Sequence, residues 1–544
     1  MNTFSLSGQI VDVVQRRIYP GTITVADGYI AAIKPDDAIK KKNYILPGFI
    51  DAHIHIESSM LVPSEFARLA TIHGTVATVS DPHEIANVLG IDGVRYMIEN
   101  GKQVPFHFYF GAPSCVPATN FETSGATIDA SGIEALFRDY QVHYLSEMMN
   151  FPGVLQQDPL VMDKIAIAKR YKKPIDGHAP GLRGKEAAKY IEAGISTDHE
   201  CFTLEEALDK IRYGMKILIR EGSAAKNYEA LHPLIGTHPE HVMFCSDDKH
   251  PHELVDGHIN LLVRRSIEKG YDVMDVLRAA CYHPVQHYHL KTGLLQPGNS
   301  ADFIVVDNLH DFNVQSTFIK GLLVAQDGQT KIERVPVSIV NQFNCHAKSP
   351  KDFAIKAEPG QLQVIQVIEG QLVTNKVLMD GLVQDGCFIS DPSQDVLKIA
   401  VVNRYQDRPP AIGFINQFGL KKGAIASCIA HDSHNIICVG VTDEDICTAV
   451  NAVIQHKGGI AVAADGLAEA LPLPIGGIMS GNEGCAVAKE YVVIDQLAKN
   501  LGTPLQAPFM TLSFMALLVI PSLKLSDKGL FDGSSFTFAP LVIA

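Results

Sequence analysis

Through the middle of the chain, short apolar runs alternate with amphipathic stretches. Eight runs have strand texture: "YILPGFIDAH", "TVATVSD", "FHFYFGAPS", "VHYLSEM", "KPIDGHA", "STDHE", "KILIREGS" and "HVMFCSDD", all between about residues 45 and 285. Between them lie segments whose apolar positions recur at helical spacing, among them "SEFARLATIHG", "GIEALFRDY" and "LEEALDKIRYG". Eight strand-then-helix units in series predict an α/β fold, a (β/α)8 barrel of the TIM type over residues 46–288.

The flanks have a different texture. Residues 1–45 read as short strands ("GQIVDVV", "RRIYPGTITV", "YIAAIKP"), and the same texture returns in "ADFIVVD" and "STFIKGLLVAQDG" within residues 289–340. Both flanks are expected to build one small β-sandwich. A third region, residues 345–544, opens with "QVIQVIEG" and "NKVLMDGLV" and continues in Gly-rich loops and helices, which predicts a C-terminal α+β domain.

Composition narrows the function classes. With 544 residues and 46% hydrophobic content the chain can bury a large core, and a net charge of -14 offers no basic footprint for nucleic acid. The longest late apolar stretch, "APFMTLSFMALLVI", is shorter than the roughly 20 residues that span a bilayer, so it is expected to be buried and no membrane partner is expected. The N-terminus lacks the pattern of a secretion signal, and the ten cysteines include no C-x-x-C pair. A cytoplasmic location is expected.

Candidate chemistry gathers where a barrel keeps its active site, at the C-terminal ends of the strands. His53 and His55 end the first strand one residue apart, hence on one face and about 7 Å apart along the backbone. Glu147 ends the fourth strand, His178 the fifth, His199 the sixth, and Asp247 followed by Asp248 the eighth. Six imidazole and carboxylate ligands exceed the needs of one tetrahedral ion and suit two divalent ions, with Glu147 placed to bridge them. Manganese or iron is favoured, with zinc as the alternative. Of the adjacent aspartates, Asp247 is preferred as ligand because it ends the strand.

Further positions are open to two readings. His83 and Glu84 in "SDPHEI" either face the substrate or merely begin a helix; Arg220 and Ser223 in "REGS" either touch the substrate or, for the arginine, pair with Glu221. His73, His143, His241 and the histidines of "YHPVQHYHL" are read as structural. His431, Asp432 and His434 in "AHDSHN", between apolar "AIASCI" and "IICVG", have metal-like chemistry but are read first as a tight polar turn.

The H-x-H, His178, His199 and Asp247 on such a barrel resemble the amidohydrolase superfamily. Within it, "GFIDAHIHIESSM", "SDPHEIANV", "SCVPATNFETSGA", "LSEMMNFPGV", "DGHAPGL", "STDHECFTLEEA", "FCSDDKHP" and "GGIMSG" resemble the bacterial adenine deaminases nearly end to end. The resemblance implies hydrolytic deamination of adenine to hypoxanthine and ammonia at a binuclear site, by a metal-activated hydroxide. It makes His53, His55, His178, His199 and Asp247 metal ligands, and it accounts for glutamate, rather than the superfamily's usual carboxylated lysine, at position 147. Asp247, Asp248 and Glu147 are the expected catalytic groups, a small purine the expected partner, and a homo-oligomer, dimer or tetramer, the expected assembly. The competing readings are a cyclic amide hydrolase of the dihydroorotase or allantoinase type and a non-enzymatic barrel. The other zinc nucleobase deaminases need a P-C-x-x-C that this chain lacks.

Overall fold

A computed structural model describes residues 3–544. The eight apolar runs each form a parallel strand: Phe49–His55, Thr75–Ser80, His107–Phe110, Leu145–Met148, Ile175–Gly177, Thr197–Asp198, Lys216–Arg220 and Val242–Cys245, the last followed by the short Asp247–Asp248. Their ladders fall into three groups, strands one to three with Asp247–Asp248, strands four and five, and strands six to eight. Backbone hydrogen bonds run between the groups, from His143 to Phe110, from Ser146 to Ala112 and from Ser196 to Ile175, each 2.8 to 2.9 Å. Asp247 pairs beside Ile54, which brings the end of the series back to its start. Helices alternate with the strands, giving a TIM-barrel-like α/β architecture. A helix such as Leu204–Arg212 starts where Thr203 accepts the Glu206 amide, and it buries one side, Glu206, Ala207, Lys210 and Ile211.

Asp51 locks first and last strands together. Its carboxylate accepts the Ser246 amide (3.0 Å) and hydroxyl and lies 2.8 Å from His258 Nε2.

Both flanks meet in one hydrogen-bonded sheet of eight strands, which closes over a small apolar core of its own that includes Ile10, Ile23, Ile45 and Phe303. Tyr44–Pro47 sits in it between an N-terminal strand, Thr3–Asp12, and a later one, Phe303–Val306. The expected boundary at 45/46 therefore cuts a strand; the chain leaves this sheet at Gly48, where a Cβ would lie 2.3 Å from the Val76 side chain.

The third region is richer in strands than expected. Its nine-stranded sheet runs from Gln361–Gln366 through Leu397–Val402 and Ile436–Gly440 to Leu467–Leu471, and helix Asp443–His456 packs across it. The "APFMTLSFMALLVI" stretch is largely buried, as a short helix, Pro508–Ser513, and a turn, Phe514–Ala516. One apolar core runs from the parallel strands into this sheet, so the two regions share an interior. No helix among the described residues is long and apolar enough to cross a membrane.

Candidate active site

The strand ends converge on a buried cluster. His53, His55, Glu147, His178, His199 and Asp247 are each no more than 6% exposed. His55 Nε2 lies 3.2 Å from Glu147 Oε1 and 3.1 Å from Asp247 Oδ1, and His53 Nε2 is 3.5 Å from Asp247 Oδ1. On the other side, His178 Nδ1 is 2.7 Å and His199 Nε2 3.2 Å from Glu147 Oε2. The two oxygens of Glu147 thus face two separate sets of imidazoles. The His53 and His199 rings stack at 4.1 Å.

Several of these atoms have no hydrogen-bond partner. Both ring nitrogens of His53 and Nε2 of His178 are buried and unpaired among the described residues, an arrangement that is costly unless something else binds them. The carboxylates are ionised in spite of burial: it would raise Glu147, but the neighbouring His178 and hydrogen bonds from His178, His199 and His55 hold it well below the ordinary range. Burial likewise works against Asp247, which Arg220 and the first-strand histidines hold low. Unpaired imidazole nitrogens beside ionised carboxylates are the donor set of a divalent cation, and the groups fit one.

The adjacent aspartates differ. Asp247 points at His53 and His55, with a left-handed backbone (φ 55°) that aspartate tolerates better than most residues. Asp248 accepts the Ser58 hydroxyl at 2.5 Å, and burial and Asp247 raise its carboxyl.

Arg220 is not paired with Glu221, whose partner is Arg265 at 3.0 Å. It is fully buried, with its guanidinium on Glu200 and, at 2.5 Å, on Asp247, and with Nε donating to the Ala225 carbonyl at 2.9 Å. These contacts hold it beside Asp247, on the lining of the same space. Ser223 stands apart: its hydroxyl donates to Glu253 and accepts the His250 amide at 2.8 Å. Its backbone amide donates to the Asp248 carbonyl at 2.7 Å, so these bonds brace the loop beside that aspartate.

His83 and Glu84 do begin a helix, His83–Leu89, yet both turn inward. His83 Nε2 lies 3.2 Å from Glu84 Oε1 and 3.8 Å from Asp432 Oδ1. Glu84 in turn meets His431 Nδ1 at 2.7 Å and His434 Nε2. The "AHDSHN" turn is therefore no isolated polar turn; it carries two histidines and an aspartate into the cluster, and Asp432 Oδ2 is buried without a partner among the described residues. By contrast His73 and His143 lie elsewhere, their charged forms disfavoured by burial to about 4, and His283 bonds the Val242 carbonyl at 2.9 Å.

The amidohydrolase family matches residues 44–324, and the adenine deaminase C-terminal domain matches residues 371–537. An adenine deaminase of Salinibacter ruber is 54% identical over 538 residues, and one of Sulfurovum sp. 56% identical over 534 residues, each alignment covering 98% of both chains. An adenine deaminase of Methanosarcina mazei is 52% identical over 550 residues, again covering 98% of both. The chain belongs to the adenine deaminase family.

Two groups of this adenine deaminase family member escaped the sequence reading. Glu200 was passed over beside His199, although its carboxylate lies 3.6 Å from His199 Nε2 and 3.8 Å from His178 Nδ1. The signal was there in "DHE", an acid directly following a strand-end histidine. Lys210 is the other. Its buried ammonium donates to Asp198 (2.5 Å), Glu206 (2.8 Å) and the Ala179 carbonyl (2.7 Å), joining the residue before His199 to the residue after His178. Lys210→Met is expected to cost about 3–5 kcal/mol, because it strands the buried Asp198 carboxylate, and to lower the melting temperature measured by calorimetry. An unchanged melting temperature would refute that coupling.

Proposed function

We propose that this chain hydrolyses adenine to hypoxanthine and ammonia at the cluster around Glu147. The observation that carries the reading is near-full-length similarity to adenine deaminases, joined to a strand-end ligand set in which every position is filled. The match over residues 371–537 favours this activity over a cyclic amide hydrolase. We read the three groups of parallel strands as one closed (β/α)8 barrel with the cluster at its mouth.

Two divalent ions suit the donor set, manganese or iron favoured and zinc the alternative. His53, His55 and Asp247 would hold one ion and His178 and His199 the other, with Glu147 standing between the two sets. When bound, such ions supply the Lewis acidity that makes water nucleophilic near neutral pH. The remaining tasks fall to the protein. Asp247, ionised against Arg220, accepts a proton of the attacking water as its oxygen joins C6 of adenine. The proton then goes to the departing amino group, which leaves as ammonia. Asp248, whose carboxyl burial and Asp247 raise and which Ser58 orients, is placed to give a proton to a ring nitrogen and to take one back from the new C6 hydroxyl as the carbonyl forms and the C6–N bond breaks. His83 and Glu84 face the same space and are the proposed contacts for the purine edge.

Protein stripped by chelator and reloaded separately with manganese, iron and zinc tests this reading through metal content, melting temperature and ammonia release. About two ions per chain are expected, with stabilisation of about 3–4 kcal/mol at free ion 100 to 1,000 times Kd. A fully loaded protein that leaves adenine unchanged would overturn the assignment and turn attention to cyclic amides.

A further inference from the structure

His55, Glu84, Glu147, Asp248, Asp432 and their neighbours line a narrow space of about 30 Å³. The strand-end side is held by the dense polar contacts described above. The opposite side is different: Leu372, Phe514 and Leu517, all from the C-terminal region and all buried, close it with apolar surface. Next to this wall is a larger hollow of about 870 Å³, between residues 114–121 and 149–153 on one side and Val519, Ser534 and Phe536 on the other. Met149 lines both spaces.

Leu372 and Phe514 are 142 positions apart in the chain, yet one side chain ties them together. Lys524, on strand Leu523–Ser526 and fully buried, donates from Nζ to the Leu372 carbonyl at 2.6 Å and to the Phe514 carbonyl at 3.0 Å. A lysine is an expensive occupant of an apolar interior, and burial lowers this one to about 7. What it gains there is the two carbonyls, and both belong to residues that line the site. Thr374 reinforces the connection, its hydroxyl donating to the Leu523 carbonyl at 2.8 Å. The Phe514 ring also stacks on His431 at 4.7 Å, so the apolar wall and the polar rim are in contact.

We propose that Leu372, Phe514 and Leu517 form an apolar wall against which the purine ring packs, and that Lys524 is the positioning residue that keeps the two strips of this wall in register. The inference rests on the adenine assignment and gives the C-terminal region a role in it: it supplies the face that holds the planar base while the strand ends supply the chemistry. Such a wall acts on ground state and transition state alike, so losing it raises KM and leaves kcat largely intact.

The test uses the full-length, manganese-loaded protein and four forms: wild type, Lys524→Met, Phe514→Ala and Leu525→Ala. Leu525 is buried beside Lys524 but does not line the site, so its truncation reports general loosening of this strand. Lys524→Met and Phe514→Ala are expected to raise KM for adenine, and Kd for hypoxanthine by calorimetry, about tenfold, with kcat within about threefold and metal content unchanged. Leu525→Ala is expected to lower the melting temperature with KM unchanged. Should Lys524→Met fail to fold, Phe514→Ala decides. An unchanged KM in Phe514→Ala, or a KM raised equally by Leu525→Ala, would overturn the proposal. Wild-type protein that releases no ammonia from adenine would overturn the underlying assignment instead, before any variant is compared.

Discussion

Glu147→Gln is expected to reduce adenine turnover by at least about 100-fold and to lower metal content below two ions per chain, with the fold retained. The carboxylate is the one group whose two oxygens reach imidazoles on both sides, His55 at 3.2 Å and His178 at 2.7 Å. Glutamine preserves the shape but replaces one oxygen with an NH2 that has no lone pair to offer a cation, so one of the two sets of imidazoles loses its share of the carboxylate. Loss of outer partners of metal ligands alone costs 10–100-fold, so a group shared between both halves should cost more. Ammonia release, metal analysis and circular dichroism on one preparation check the three parts. Near wild-type turnover would remove Glu147 from the centre of the site.

Asp247→Asn should be the more selective lesion. Its expected effect is a fall in kcat of about a thousandfold, the middle of the range for a positioned acid or base, with little change in melting temperature. The amide keeps the volume, and Glu200 still neutralises Arg220. What disappears is the group held ionised beside both first-strand histidines. Retention of more than about a tenth of wild-type kcat, with metal bound, would assign the proton to another residue, and Asp248→Asn would be measured next.

The contrast between these two aspartates shows what the sequence could tell. Strand ends were legible because parallel strands repeat the same apolar texture; the ends of five of the eight placed His53, His55, Glu147, His178, His199 and Asp247 on one rim. Of the two neighbouring carboxylates, the strand-end position favoured Asp247, which does face the histidines; the left-handed backbone that turns it there leaves no trace in the periodicity. Arg220 was visible as a charge at a strand end, but its partners, Glu200 and Asp247, come from two other strands, whereas the local choice, Glu221, looks outward to Arg265. The turn from His431 to His434 has the same pattern whether it faces solvent or a site. Only the docking of the C-terminal sheet decides, and no local signal encodes that.

Glu84 also sets a timetable for biosynthesis. Its partner His434 lies 350 residues further along the chain. At ordinary ribosomal speeds of 5–20 residues per second, about 20–70 seconds pass between the two leaving the peptidyl-transferase centre. Throughout that interval a nascent barrel holds an acidic side chain that the finished molecule buries, and it cannot finish packing until the tail arrives. A transcript cut short before residue 434 would therefore yield a product without His434, Phe514 and Leu517, with part of the shared apolar core left uncovered.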